Sequence, residues 1–88
     1  MTTNAPIAAE ALAEAIPFDF ESLELSVKPS SEWSIRSLDR LERGYITSWL
    51  ELVLPEKSYA AILDADLKPE AISRLVVAVQ RAAGVRGN

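Results

Sequence analysis

The chain has 88 residues, a formal net charge of -4, 49% hydrophobic and 25% charged residues, and neither cysteine nor histidine. A chain of that length makes one domain, which buries only about 60 to 65% of its unfolded surface, and the composition is globular rather than low-complexity or fibrous. Without cysteine there is no disulfide frame, thiolate nucleophile or sulfur metal site; without histidine the commonest metal ligand and proton shuttle are missing. The expectation is therefore an intracellular protein that is not an enzyme and takes no cofactor or metal.

Residues 1-15 (MTTNAPIAAEALAEA) are small and acidic, with Ile7, Leu12 and the alanines enough for a marginal helix at most, so they read as a flexible tail. Charge is unevenly placed. Residues 1-24 carry Glu10, Glu14, Asp19, Glu21 and Glu24 and no base, while 25-88 carry eight acids and nine bases. Phosphate backbones and anionic lipid would repel the first part, which argues against nucleic-acid or membrane binding through it. There is no run of ~18 apolar residues for a membrane span and no signal-peptide pattern, so the expected location is the cytoplasm.

Phe18 and Phe20 then alternate with acids, and Leu23, Leu25 and Val27 alternate with Glu24 and Ser26, the period of two expected of strands. The parity slips at Glu21-Ser22. Either a tight reversal into a hairpin or a bulge returns both apolar sets to one face, and the hairpin is the favoured reading.

Ser30 and Ser31 offer caps for a first helix starting near Glu32, with Ser34 as a later alternative. Ile35, Leu38 and Leu41 recur at three-residue spacing until Gly44, which suits a helix C-terminus. A second helix is marked by Tyr45, Ile46, Trp49, Leu50, Val53 and Leu54, an unusually wide apolar face. Pro55 ends it and opens a short third helix with Tyr59, Ile62 and Leu63 inward. After a break at residues 64-67, Pro69 opens a fourth helix, with Asp66 as its expected cap and Ile72, Leu75, Val76, Val79 and Ala82 or Ala83 as its apolar repeat up to Gly84. The fold class is thus mainly α: about four short helices behind a short N-terminal β-hairpin or strand, with a flexible acidic tail (1-15), a helical domain (16-84) and a flexible end (85-88). The expected core joins Phe18, Phe20, Leu38, Leu41, Leu50, Leu75, Val76 and Val79, because a domain this small has room for one core.

Candidate sites have plain structural alternatives. Arg36, Arg40 and Arg43 lie at helical spacing and would suit an acidic partner, yet Glu32 and Asp39 each precede one of them by four residues, so paired surface charges explain the pattern. Asp64 and Asp66 fall far short of the six to eight oxygens that calcium takes. There is no glycine-rich phosphate loop and no histidine to activate a serine. Acyl carrier proteins are also acidic four-helix domains, but the Asp-Ser-Leu motif that holds their prosthetic group is absent. A helix-turn-helix DNA reader would fit the short helices around Gly44, but the second helix contains no Lys or Arg. A small regulatory or adaptor module, with DNA binding as one form of it, is the alternative functional class. Trp49 serves either as core or as a binding anchor, and the second helix has more apolar residues than one packing face absorbs. Tyr45, Ile46, Trp49, Leu50 and Val53 are accordingly the candidate partner-binding residues.

The order of features, Phe18-x-Phe20-Glu21, a strand ending at Pro29, Ser31-Glu32-Trp33, Leu41-Glu-Arg-Gly44, Trp49-Leu-Glu-Leu-Val-Leu54-Pro55, Tyr59 and a closing helix into Ala83-Gly84, resembles the tail assembly chaperones of long-tailed actinobacterial phages. The resemblance covers residues 16-88 through short motifs. It implies a non-enzymatic protein in the host cytoplasm that binds the helical tape measure protein, keeps it soluble and assists tail tube assembly, and that is absent from the finished virion. It also implies a longer form made by ribosomal frameshifting near the end of the gene, a further partner of the short one, and Gly87-Asn88 is compatible with a slippery G-GGA-AAC heptamer. The broad apolar helix face agrees in kind, since it suits an amphipathic helix held in a groove.

Overall fold

In the computed structural model, which describes residues 14-85, two strands precede a one-turn 3-10 helix and four α-helices. Strands β1 (Ile16–Phe20) and β2 (Leu23–Val27) pair antiparallel, with Phe20 opposite Leu23, Phe18 opposite Leu25 and Ile16 opposite Val27. The hairpin therefore resolves the parity slip. Its turn at Glu21-Ser22 places both apolar sets on one face and holds Glu21 in the left-handed region at φ 54. By this register the amide positions of residues 17 and 26 face away from the partner strand. At 17 a proline leaves no donor exposed on the edge. At 26 the amide donates to the Ser58 hydroxyl at 2.8 Å.

The short 3-10 turn covers Ser30–Glu32, and helix α1 (Ile35–Glu42) starts at the last of the three candidate caps: the Ser34 hydroxyl accepts from the Ser37 amide at 3.1 Å. Gly44, at φ 80, turns the chain into α2 (Ile46–Val53). Pro55 separates α2 from α3 (Glu56–Ala65). Asp66 then adopts φ 51 and terminates α3 in the left-handed conformation. It does not cap the next helix, α4 (Pro69–Ala83), whose N-cap is Lys68 without a side-chain hydrogen bond. The fixed φ of Pro69 and the acidic Glu70 in the first turn are what favour that start. Gly84 closes α4 at φ 96.

The core combines Phe20, Leu25 and Val27 of the hairpin with Trp49, Leu50, Val53 and Leu54 of the α2 region, Ile62 of α3 and Leu75, Val79 and Ala83 of α4. Of the expected core, Phe20, Leu50, Leu75 and Val79 are buried, and Phe18, Leu41 and Val76 pack half-buried against them. Leu38 is a correction: it is 43% exposed, and Ile35 is 85% exposed. A three-residue step rotates about 300° around a helix, so Ile35, Leu38 and Leu41 drift across its surface. The inward face is instead set by Ser37 and Leu41, four apart, with the Ser37 hydroxyl donating to the Ser34 carbonyl at 2.6 Å. The expectations for 1-13 and 86-88, including the tail and the Gly87-Asn88 end, lie outside the described residues. Among the described residues no helix is long and apolar enough to cross a membrane.

Candidate functional site

Helix α2 lies between α1 and α3, with contacts to both, and its C-terminal end is bound to the segment after β2. Lys28 makes that junction. Its amide donates to the Val53 carbonyl at 2.9 Å and its Nζ to the Leu52 carbonyl at 3.2 Å, satisfying two of the carbonyls that a helix end leaves open. Its own carbonyl accepts from Trp33 Nε1 at 2.9 Å, and this fixes the Trp33 ring edge-to-face with Trp49, centroids 5.7 Å apart and planes at 85°.

This arrangement consumes the wide apolar face. Trp49 and Val53 are fully buried, Leu50 is 1% exposed and Ile46 is half-buried against the core. Trp49, Leu50 and Val53 therefore belong to the core. With α1 on one side, α3 on the other and Lys28 across the end, the face has two packing sides rather than one. Of the candidate residues only Tyr45 presents a large exposed area, at 54%. Trp49 Nε1 has no hydrogen-bond partner among the described residues.

Exposed apolar side chains lie on other helices, Ile35 and Leu38 on α1, Leu63 on α3 and Val77 on α4, and those of α3 border two clefts. An open cleft of about 560 Å³ is lined by Leu54, Pro55, Tyr59, Ala60 and Leu63, with Lys28, Glu51 and Glu56 contributing charge. A second cleft of about 180 Å³ lies where α2, α3 and the start of α4 meet and includes Leu50, Ile62, Leu63, Leu67 and Ile72. Leu63 belongs to both clefts and is 53% exposed, so it forms a ridge between two depressions. The Ser58–Ser26 hydrogen bond holds α3 against β2 and orients this ridge outward. The sequence spacing predicts Tyr59, Ile62 and Leu63 on one inward side. Adjacent residues on a helix are 100° apart, however, so Ser58 and Ile62 define the buried stripe while Tyr59 and Leu63 form the neighbouring one.

On α1, Asp39 accepts from Arg43 Nε at 2.9 Å and from Arg40 Nη1 at 3.0 Å. The hydrogen bond from Arg43 holds the Asp39 carboxyl below its usual range, its charge attraction and that of Arg40 adding to the effect. The expected Glu32–Arg36 pair is not among the ion pairs of the described residues, because Glu32 sits in the 3-10 turn ahead of the Ser34 cap and not on α1. Arg74 Nη2 of α4 donates to Glu21 Oε2 at 2.7 Å and links the hairpin turn to that helix. Among the described residues no group of three or more acids, histidines or cysteines could hold a metal ion.

Compared with family models, with curated proteins and with solved structures, the chain finds no significant match.

Proposed function

We propose that this chain is a non-enzymatic phage tail assembly chaperone which binds the helical tape measure protein and assists tail tube assembly, in the host cytoplasm and without a cofactor. The sequential likeness described above, from Phe18 to Gly84, gives the partner. The observation that supports binding is the Leu63 ridge with a cleft on either side. Two depressions that share the Leu63 wall suit neighbouring apolar side chains on one face of an amphipathic helix, the pattern of helix-in-groove recognition. Lys28 beside Glu51 and Glu56 gives one cleft both signs of charge, which orients a partner helix rather than selecting for net charge.

The alternative regulatory or DNA-binding class has less support, since α2, which follows the Gly44 turn, carries no base and turns its apolar face inward. Coexpression separates the two. The proposal expects a tape measure protein that is insoluble alone to stay soluble with this chain and to copurify with it. Retention on heparin or nonspecific DNA at low salt, with no effect on the tape measure protein, would favour the regulatory class. A gene whose last fifteen or so nucleotides hold no slippery heptamer, with no overlapping downstream frame, removes the longer form from the proposal.

A further inference from the structure

The outward side of α4 carries a shallow groove of about 450 Å³ lined by Ser73, Arg74, Val77, Ala78 and Arg81. Leu75 and Val79 turn into the core on the other side of the helix, while Glu70, Arg74, Val77 and Arg81 are exposed. These four are spaced four, three and four residues apart, so they form one stripe along the helix, the spacing of a two-helix seam. Ser73 and Ala78 flank the stripe, one on each edge, and their small side chains let a second helix come close. The groove shares no residue with the two clefts beside Leu63.

The stripe matches itself when reversed. Its acid, Glu70, stands in the first turn of α4 and Arg81 in the last. Turned end for end about a point between residues 75 and 76, Glu70 falls opposite Arg81 and Arg74 opposite Val77, because both pairs share that midpoint. We propose that this face of α4 pairs antiparallel with the same face of a second copy of this chain, as an isologous two-fold contact. Glu70 then meets the partner's Arg81, and the same pair recurs at the other end of the seam. At the centre the methylenes of Arg74 cover the partner's Val77, while its guanidinium stays 2.7 Å from Glu21 of its own hairpin, so that its charge is met within its own chain. A parallel pair would set acid on acid and base on base at the two ends, so charge selects the direction as well as the partner. From residue 70 to 81 the seam rises about 16.5 Å, short for a standard interface, which makes the dimer a weak one with a Kd of about 1 μM to 1 mM.

Sedimentation equilibrium of the full chain from about 10 μM to about 1 mM covers that range. The expected result is a reversible monomer–dimer equilibrium that added salt weakens. Glu70→Arg and Arg81→Glu, each alone, set like charges against each other at both ends and should raise the Kd about tenfold or more. Mixing the two variants should bring the dimer back, because the mixed pair has opposite charges at both ends. Circular dichroism shows whether each variant folds. Should either fail to, the unmodified chain decides: dilution should shift the amide signals of Ser73, Arg74, Val77 and Ala78 and leave that of Leu63 in place. A chain that stays monomeric at about 1 mM would overturn the proposal. So would a dimer that neither charge reversal weakens, two weakened variants that do not pair when mixed, or dilution shifts centred away from α4. A dimer abolished by Leu63→Asp would also overturn it and move the contact to the α3 ridge.

Discussion

At Trp49 the wide apolar face of α2 is spent on the fold. Its ring is fully buried, edge-to-face with Trp33, and Trp33 is itself fixed by the Lys28 carbonyl. Truncation to alanine removes the largest core side chain and leaves a cavity, so Trp49→Ala should cost about 3 to 5 kcal/mol. For a domain whose total stability lies near the lower end of ~5 to 15 kcal/mol, that leaves little folded protein. Urea unfolding followed by circular dichroism measures it; an unchanged midpoint would return Trp49 to the surface. Trp49→Phe should cost less, because it also deletes an indole N–H that has no partner among the described residues. Ser58 works in the opposite sense. Its hydroxyl satisfies the outward amide of Ser26, so Ser58→Ala should destabilise by about 1 to 3 kcal/mol and speed hydrogen exchange at Ser26 more than at Leu25. A uniform acceleration along β2 would show that the hydroxyl has no local role.

Helix ends were the most readable elements, because they depend on local backbone chemistry. Gly44, Pro55, Pro69 and Gly84 each stand at an element boundary for a reason contained in the residue itself: freedom at positive φ, or a fixed φ with no donor. The strand alternation was readable on the same footing, since the parity slip admits few solutions. Asp66 shows the limit of such reasoning. As an oxygen-bearing residue ahead of Pro69 it suggested a cap, but after the tenth residue of α3 the chain needs a left-handed residue more than α4 needs an acceptor. The helix faces were less readable, because which stripe turns inward depends on neighbours the sequence does not name: α1 buries Ser37 and turns Ile35 outward. Gly44→Ala isolates the backbone contribution. Nothing lies within 4 Å of the added methyl, so its cost of about 1 kcal/mol should come from the positive φ alone. The Asp39 pair on α1 gives a pH dependence of known sign. Its carboxyl pKa is lowered in the folded state, so its stabilising contribution is present above the unfolded Asp range and fades as pH falls through the folded value. Exposed and screened, the pair should contribute little: acid melting curves of the native chain and Asp39→Asn should converge at low pH and differ slightly at neutral pH.

At the scale of the whole molecule the fold is legible while the binding face is not. A wide apolar stripe records how much surface a helix must cover, but not whether a neighbouring helix or a partner covers it. Once α1, α3 and Lys28 close over α2, the exposed apolar side chains are Ile35, Leu38, Leu63 and Val77, of which Leu63 stands between two clefts, and Tyr45 is the exposed member of the candidate residues on and beside α2. Leu63 and Tyr45 make opposite predictions. Leu63 contributes little to the core, so Leu63→Asp should leave the unfolding midpoint nearly unchanged; surface substitutions usually stay within about 0.5 kcal/mol. Its carboxylate would nevertheless stand between the clefts, and desolvating it against an apolar partner helix should lower affinity at least tenfold, the equivalent of about 1.4 kcal/mol. Tyr45→Ala should affect binding much less, because Tyr45 is not among the residues lining either cleft. Coexpression solubility and copurification of the tape measure protein report both variants. If Leu63→Asp still keeps that partner soluble while Tyr45→Ala does not, the binding face lies at the start of α2 and the α3 ridge is only surface.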